Sequence, residues 1–89
     1  MSPNHLAKPD VFTLIGDARR RRILELLSAG ELSVGAITTE LGIAQPSVTQ
    51  HLSALREAGL VTMEKRGTSS IYSLERGPLG EVTNWIAAL

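Results

Sequence analysis

The chain has 89 residues, 43% of them hydrophobic and 20% charged, and its nine basic residues balance its nine acidic ones. That composition describes one folded domain rather than a disordered segment. A domain this short buries only roughly 60 to 65% of its unfolded surface, so a second subunit is the usual source of added stability. The absence of cysteine excludes disulfides, thiolate metal ligands, thiol redox switches and cysteine nucleophiles. No apolar run approaches the ~18 residues of a membrane span, and MSPNHLAKPD lacks the features of a signal peptide, so the expected location is cytoplasmic with no membrane partner. With zero net charge, affinity for a polyanion must come from where the charges sit.

Residues 1–9 read as a flexible tail and residues 10–89 as the domain. Val11, Phe12, Leu14 and Ile15 form a brief helical patch broken at Gly16, and Asp17 can cap a second helix with Ala18, Ile23, Leu24 and Leu27 on about one face. Gly30 ends it. Ser33 reads as the N-cap of a short helix carrying Val34, Ile37 and Leu41, closed by Gly42. A turn of two or three residues then leads to AQPSVTQHLSALREAGLV, where Pro46 suits a first helical turn and Val48, Leu52 and Leu55 make the inward stripe. Beyond Gly59, LVTMEKRGTSSIYSLE has the composition of a β-hairpin with Gly67, Thr68 and Ser69 between its arms and a basic tip, Lys65 and Arg66. Gly77 and Pro78 open a last helix whose broad apolar face holds Leu79, Val82, Trp85, Ile86 and Leu89.

Gln45, Ser47, Thr49 and Gln50 point outward on the N-terminal turns of the fourth helix, where a buried helix would place hydrophobic residues. A helix docked in the major groove needs such polar turns, because glutamine can bond bidentately to adenine and serine or threonine can bond to base edges or phosphates. Two short helices, the second polar at its outward N-terminus, followed by a hairpin with a basic tip, predict a winged helix-turn-helix. The expected fold is mainly α with a small β-hairpin, in the order α-α-α-α-β-β-α.

The segment DARRRRILELLSAGELSVGAITTELGIAQPSVTQHLSALREAGLV, with the hairpin after it, resembles the ArsR/SmtB family of bacterial winged-helix repressors. The likeness covers about residues 10–89 and is most specific over PSVTQHLSALREAGLV, including His51, Leu52, Leu55, Arg56 and Gly59. It implies a homodimer assembled from the first and last helices that binds an imperfect palindrome in double-stranded operator DNA and represses transcription. Many members of the family release DNA on binding a metal ion. Here ELSVGAI stands where the family's best-known site has an ELCVC-like motif, so Ser33 and Gly35 replace thiolates. The last helix offers only Glu81 where other members place histidines and carboxylates. No metal site and no cofactor are therefore expected, and the effector stays open.

The candidate DNA-binding residues are Gln45, Ser47, Thr49, Gln50, His51, Arg56, Lys65 and Arg66. His51 reads equally well as a phosphate contact or as a hydrogen-bonded residue at the edge of the helical core, and a lone histidine makes no metal site. The run Arg19–Arg22 reads either as a phosphate patch or as a solvated helix face, with at least one arginine turned toward the core. Val11, Phe12, Leu14 and Ile15 at one end and Leu79, Val82, Trp85, Ile86 and Leu89 at the other are the candidate dimer surface, since the last helix has little of its own protomer to cover. A winged helix used only as a protein-interaction module is the alternative, and the polar face argues against it. An enzyme is excluded: there is no cysteine, no partner for His51 in an acid/base pair and no glycine-rich phosphate loop.

Overall fold

A computed structural model describes residues 10–89; the predicted tail, residues 1–9 with His5, lies outside the described residues. Helix α1 (Val11–Ile15) starts at Asp10, whose carboxylate accepts from the Thr13 amide at 2.9 Å. Helix α2 (Ala18–Leu27) starts at Asp17, which accepts from the Arg19 and Arg20 amides at 2.8 and 3.2 Å. A strand β1 (Leu32–Ser33) leads into α3 (Val34–Leu41), and after a three-residue turn comes α4 (Gln45–Glu57). Strands β2 (Val61–Arg66) and β3 (Ser69–Leu74) form the hairpin, followed by a 3-10 turn (Gly77–Leu79) and α5 (Gly80–Ala87). This is the winged helix-turn-helix arrangement that the sequence predicts.

The core is apolar and gathers from the first four helices and the hairpin. Val11 and Leu14 of α1, Ile23, Leu24 and Leu27 of α2, Ile37 of α3, and Val48, Leu52 and Leu55 of α4 are buried together with Leu60, Val61 and Tyr72. Ser33 caps α3 as expected, its Oγ accepting from the Ala36 amide at 3.1 Å. Gly42 ends α3 at φ +67°, a left-handed conformation that side-chain-bearing residues rarely adopt. The α3–α4 turn is thereby held short, and α4 crosses the core on its Val48–Leu52–Leu55 stripe.

Four sequence expectations need correction. The sheet has three strands in the order β1-β3-β2, not two, because Leu32 and Ser33 pair antiparallel with Tyr72 and Ile71 of β3. An N-cap residue has extended backbone, and Ser33, at φ −72° and ψ 158°, uses that geometry for a ladder as well as for capping. The hairpin loop is two residues, Gly67 and Thr68, since Ser69 already pairs with Arg66. Gly67, at φ +61°, occupies the first central position, where a II′-type turn requires glycine. Ala18 is exposed and does not join the apolar stripe of α2. Finally, Val11 and Leu14 are buried inside the protomer and do not join Phe12 and Ile15 on an external dimer face. A five-residue helix gives no periodicity from which to tell its inner from its outer apolar positions.

The caps predict an acid response. Hydrogen bonds from the Thr13 amide and from the Arg20 amide hold the Asp10 and Asp17 carboxyls below the usual carboxylate range. A depressed carboxyl contributes stability that is complete above its unfolded pKa and is lost as pH falls through the folded value. The thermal midpoint should therefore stay level from neutrality to about pH 5 and drop below about pH 4, and Asp17→Asn should reduce that drop. Calorimetry across this range checks it, and an Asp17→Asn profile as steep as that of the wild type would contradict it.

Candidate nucleic-acid interface

The N-terminal half of α4 presents one polar face. Gln45, Thr49 and Gln50 are exposed, while Ser47 is half-buried and turns partly toward the body. Ala44 occupies the N-cap position and supplies no side-chain oxygen to the first-turn amides, and Pro46 has no amide to satisfy. The Ser47 and Val48 amides both donate to the Ala44 carbonyl, at 3.0 and 3.3 Å, so the helix start is closed by its own backbone and presents neutral amide side chains, next to a C-terminal half fixed in the core by Leu52 and Leu55. Arg56 is exposed on the last turn.

His51 is half-buried, and its Nδ1 lies 3.4 Å from Nη1 of Arg20. Arg20 is the member of the arginine run that turns inward. Its Nε donates to the Leu14 carbonyl at 2.8 Å and its Nη2 to the Thr13 carbonyl at 3.5 Å. Arg21 donates to the Ile15 carbonyl at 2.6 Å, and Arg22 pairs with Glu25 at 3.6 Å. The run thus divides between backbone carbonyls, His51 and a neighbouring glutamate, and among the described residues only the Arg19 side chain has no hydrogen-bond or ion-pair partner.

At the wing tip, Lys65 and Arg66 behave differently. Lys65 is exposed, with no acidic partner among the described residues. Arg66 is held by two carboxylates: Nη1 and Nη2 donate to the two oxygens of Glu31, the second at 3.0 Å, and Nη2 also donates to Glu64 at 2.9 Å. These bonds raise the Arg66 guanidinium far above its ordinary range, and Arg66 in turn pulls the Glu31 carboxyl below its own. Glu31 was not foreseen as part of the wing. It lies 35 residues from Arg66, and an isolated exposed glutamate gives no local signal of a distant partner.

The residues do not fit a metal ion at the place where ArsR/SmtB proteins are expected to hold one. Ser33 Oγ is already used as a cap, Gly35 has no side chain, and α5 carries a single ionisable group, Glu81. Among the described residues there is no group of three or more His, Asp or Glu side chains close enough to share an ion. Nor, among them, is any helix long and apolar enough to cross a membrane.

Comparison with known proteins agrees with this geometry. Residues 17–63 match the bacterial regulatory proteins of the arsR family. The chain is 35% identical over 77 residues to the transcriptional repressor SdpR of Bacillus subtilis, covering 86% of both proteins. It superposes on the crystal structure of an ArsR family transcriptional regulator with a TM-score of 0.82 at 27% identity, covering 99% of this chain and 89% of the other. It also matches the solution structure of a homodimeric winged helix-turn-helix DNA-binding domain from Mycobacterium bovis, described as a possible ArsR-family regulator. That match has a TM-score of 0.70 at 31% identity and covers 84% of this chain and 72% of the other. Three further curated relatives are longer, and the chain spans 51%, 57% and 63% of their lengths. The chain belongs to the arsR family of bacterial regulatory proteins. It is a winged helix-turn-helix DNA-binding transcriptional regulator and not an enzyme.

The two wing residues should separate in their salt dependence. Each phosphate contact neutralised by a side chain contributes about 0.9 to the slope of log affinity against log salt. Lys65→Ala should lower that slope by about one contact, whereas Arg66→Ala, removing a cation already spent on Glu31 and Glu64, should weaken binding with a smaller change in slope. Affinity measured over a range of salt concentrations checks this, and equal slope losses would make Arg66 a direct phosphate contact.

Proposed function

We propose that this regulator is a repressor that binds an imperfect palindrome as a homodimer, with α4 in the major groove and the β2–β3 wing against the flanking backbone. The observation that carries the reading is the split character of α4. Val48, Leu52 and Leu55 have no exposed surface, while Gln45, Thr49 and Gln50 on the same helix are open to solvent. A glutamine at such a place can read adenine through paired bonds in the major groove. His51, Arg56 and Lys65 then serve the backbone, with Ser47 at the edge of the contact. Repression is supported by the likeness to a transcriptional repressor, and the cytoplasm is the compartment in which such a protein meets its operator.

The dimer rests on an apolar face that one protomer leaves open. Helix α5 has no fully buried residue, and Trp85, Ile86 and Leu89 are 55%, 58% and 87% exposed. Phe12, 38% exposed, meets Trp85 edge to face, with ring centres 5.8 Å apart and planes at 77°. That pair joins α1 to α5 in one surface. Ile15, Leu79 and Val82 are half-buried against the core and support it from beneath. A two-fold axis through this face would present two α4 helices to successive major grooves. The homodimeric state of the M. bovis domain supports a dimer.

Two variants test the reading. Gln50→Ala should cost about 1–3 kcal/mol of specific binding and relax preference at one base pair, with little effect on non-specific duplex. Equal losses on both duplexes would reduce Gln50 to a backbone contact. Ile86→Asp places an unpaired charge in the apolar face while sparing the core, so sedimentation should find a folded monomer with reduced operator affinity. A dimeric Ile86→Asp protein would move the interface elsewhere.

A further inference from the structure

Arg20 joins two parts of the molecule that otherwise have separate tasks. One edge of its guanidinium donates to the carbonyls of Leu14 and Thr13 in α1, the helix that carries Phe12 of the apolar face. The remaining Nη1 meets Nδ1 of His51, in the middle of the DNA-reading helix, at 3.4 Å. Arginine has five donors and no acceptor, so in this contact Nδ1 must accept. A ring nitrogen that accepts carries no proton, and the proton of the neutral imidazole then sits on Nε2. Nε2 has no protein partner among the described residues, and none of them holds a buried polar side-chain atom without a partner. The Nε2–H group therefore opens to solvent, one position beyond Gln50.

We propose that Arg20 is a positioning residue that fixes His51 as the Nε2–H tautomer, so that this N–H donates to the backbone of bound DNA. The same guanidinium links α1 of the dimer face to the reading helix. The proposal rests on the DNA-binding reading of α4 and adds the atom of His51 that makes the contact and the residue that sets it. Arg20 itself touches no DNA. All three contacts of its guanidinium are to groups of this protomer, which separates it from Arg19 on the same helix.

The tautomer is measurable in the free full-length chain by imidazole proton–nitrogen correlation spectra at about pH 8, where an ordinary histidine is neutral. The wild type should show the proton on Nε2, and Arg20→Met, with its stem kept and its donors removed, should show a mixture of tautomers. Operator affinity should fall by about tenfold in His51→Ala. Adding Arg20→Met to His51→Ala should cost little more, because both changes remove one contact. His51→Gln, whose amide nitrogen reaches the place of Nε2, should retain more affinity than His51→Asn. A proton on Nδ1 in the wild type would overturn the proposal even if Arg20→Met failed to fold, and so would independent, additive losses in the Arg20–His51 pair. Failure of the wider reading looks different: the wild type would then bind no duplex specifically, whatever its tautomer.

Discussion

Three side chains with no exposed surface, Val48, Leu52 and Leu55, hold α4 to the body, and the rest of the molecule is arranged around that grip. Each such side chain contributes on the order of 1.5–3 kcal/mol by leaving water. With α4 seated on them, the intervening positions must face outward, and there the chain places Gln45, Thr49 and Gln50. The same anchor sets the wing. The Leu60 amide donates to the Leu55 carbonyl at 2.9 Å, and buried Leu60 and Val61 carry the constraint straight into β2. A helix loosened in its seat would misplace its polar turns and the hairpin together.

Charge plays a smaller part than a DNA-binding role would suggest. Arg20 and Arg21 bind backbone carbonyls, Arg22 pairs with Glu25, and Arg66 pairs with Glu31 and Glu64. That leaves Arg19, Arg56, Lys65 and Arg76 as the cations whose side chains have no hydrogen-bond or ion-pair partner among the described residues. On the proposed reading, the described residues offer few unpaired charges to phosphates, and shape and neutral amides at the base edges carry more of the contact. Doubling in a homodimer offsets a modest footprint per protomer, so the exposed Phe12–Trp85 face, if the proposed interface holds, bears directly on affinity.

Much of this was legible in the sequence because it is local. Asp17 and Ser33 as caps, Gly42 as a helix stop, the Val48–Leu52–Leu55 stripe and the hairpin about Gly67 follow from spacing within a few residues. What escaped depends on contacts between distant segments. The pairing of Leu32–Ser33 with β3 involves too few residues to show alternation. The Glu31–Arg66 and Arg20–His51 contacts span 35 and 31 positions. The division of α1 into buried Val11 and Leu14 and exposed Phe12 depends on which side the core happens to lie, which five residues cannot reveal.

Amide NMR of the full chain during addition of an operator duplex tests the central claim, that the polar turns of α4 and the wing tip meet DNA while the body holds them. The largest shift changes are expected at residues 45–51 and 64–68, with the Leu52–Leu55 turn changing little. Changes concentrated on α5 and Phe12, with residues 45–51 unmoved, would contradict it.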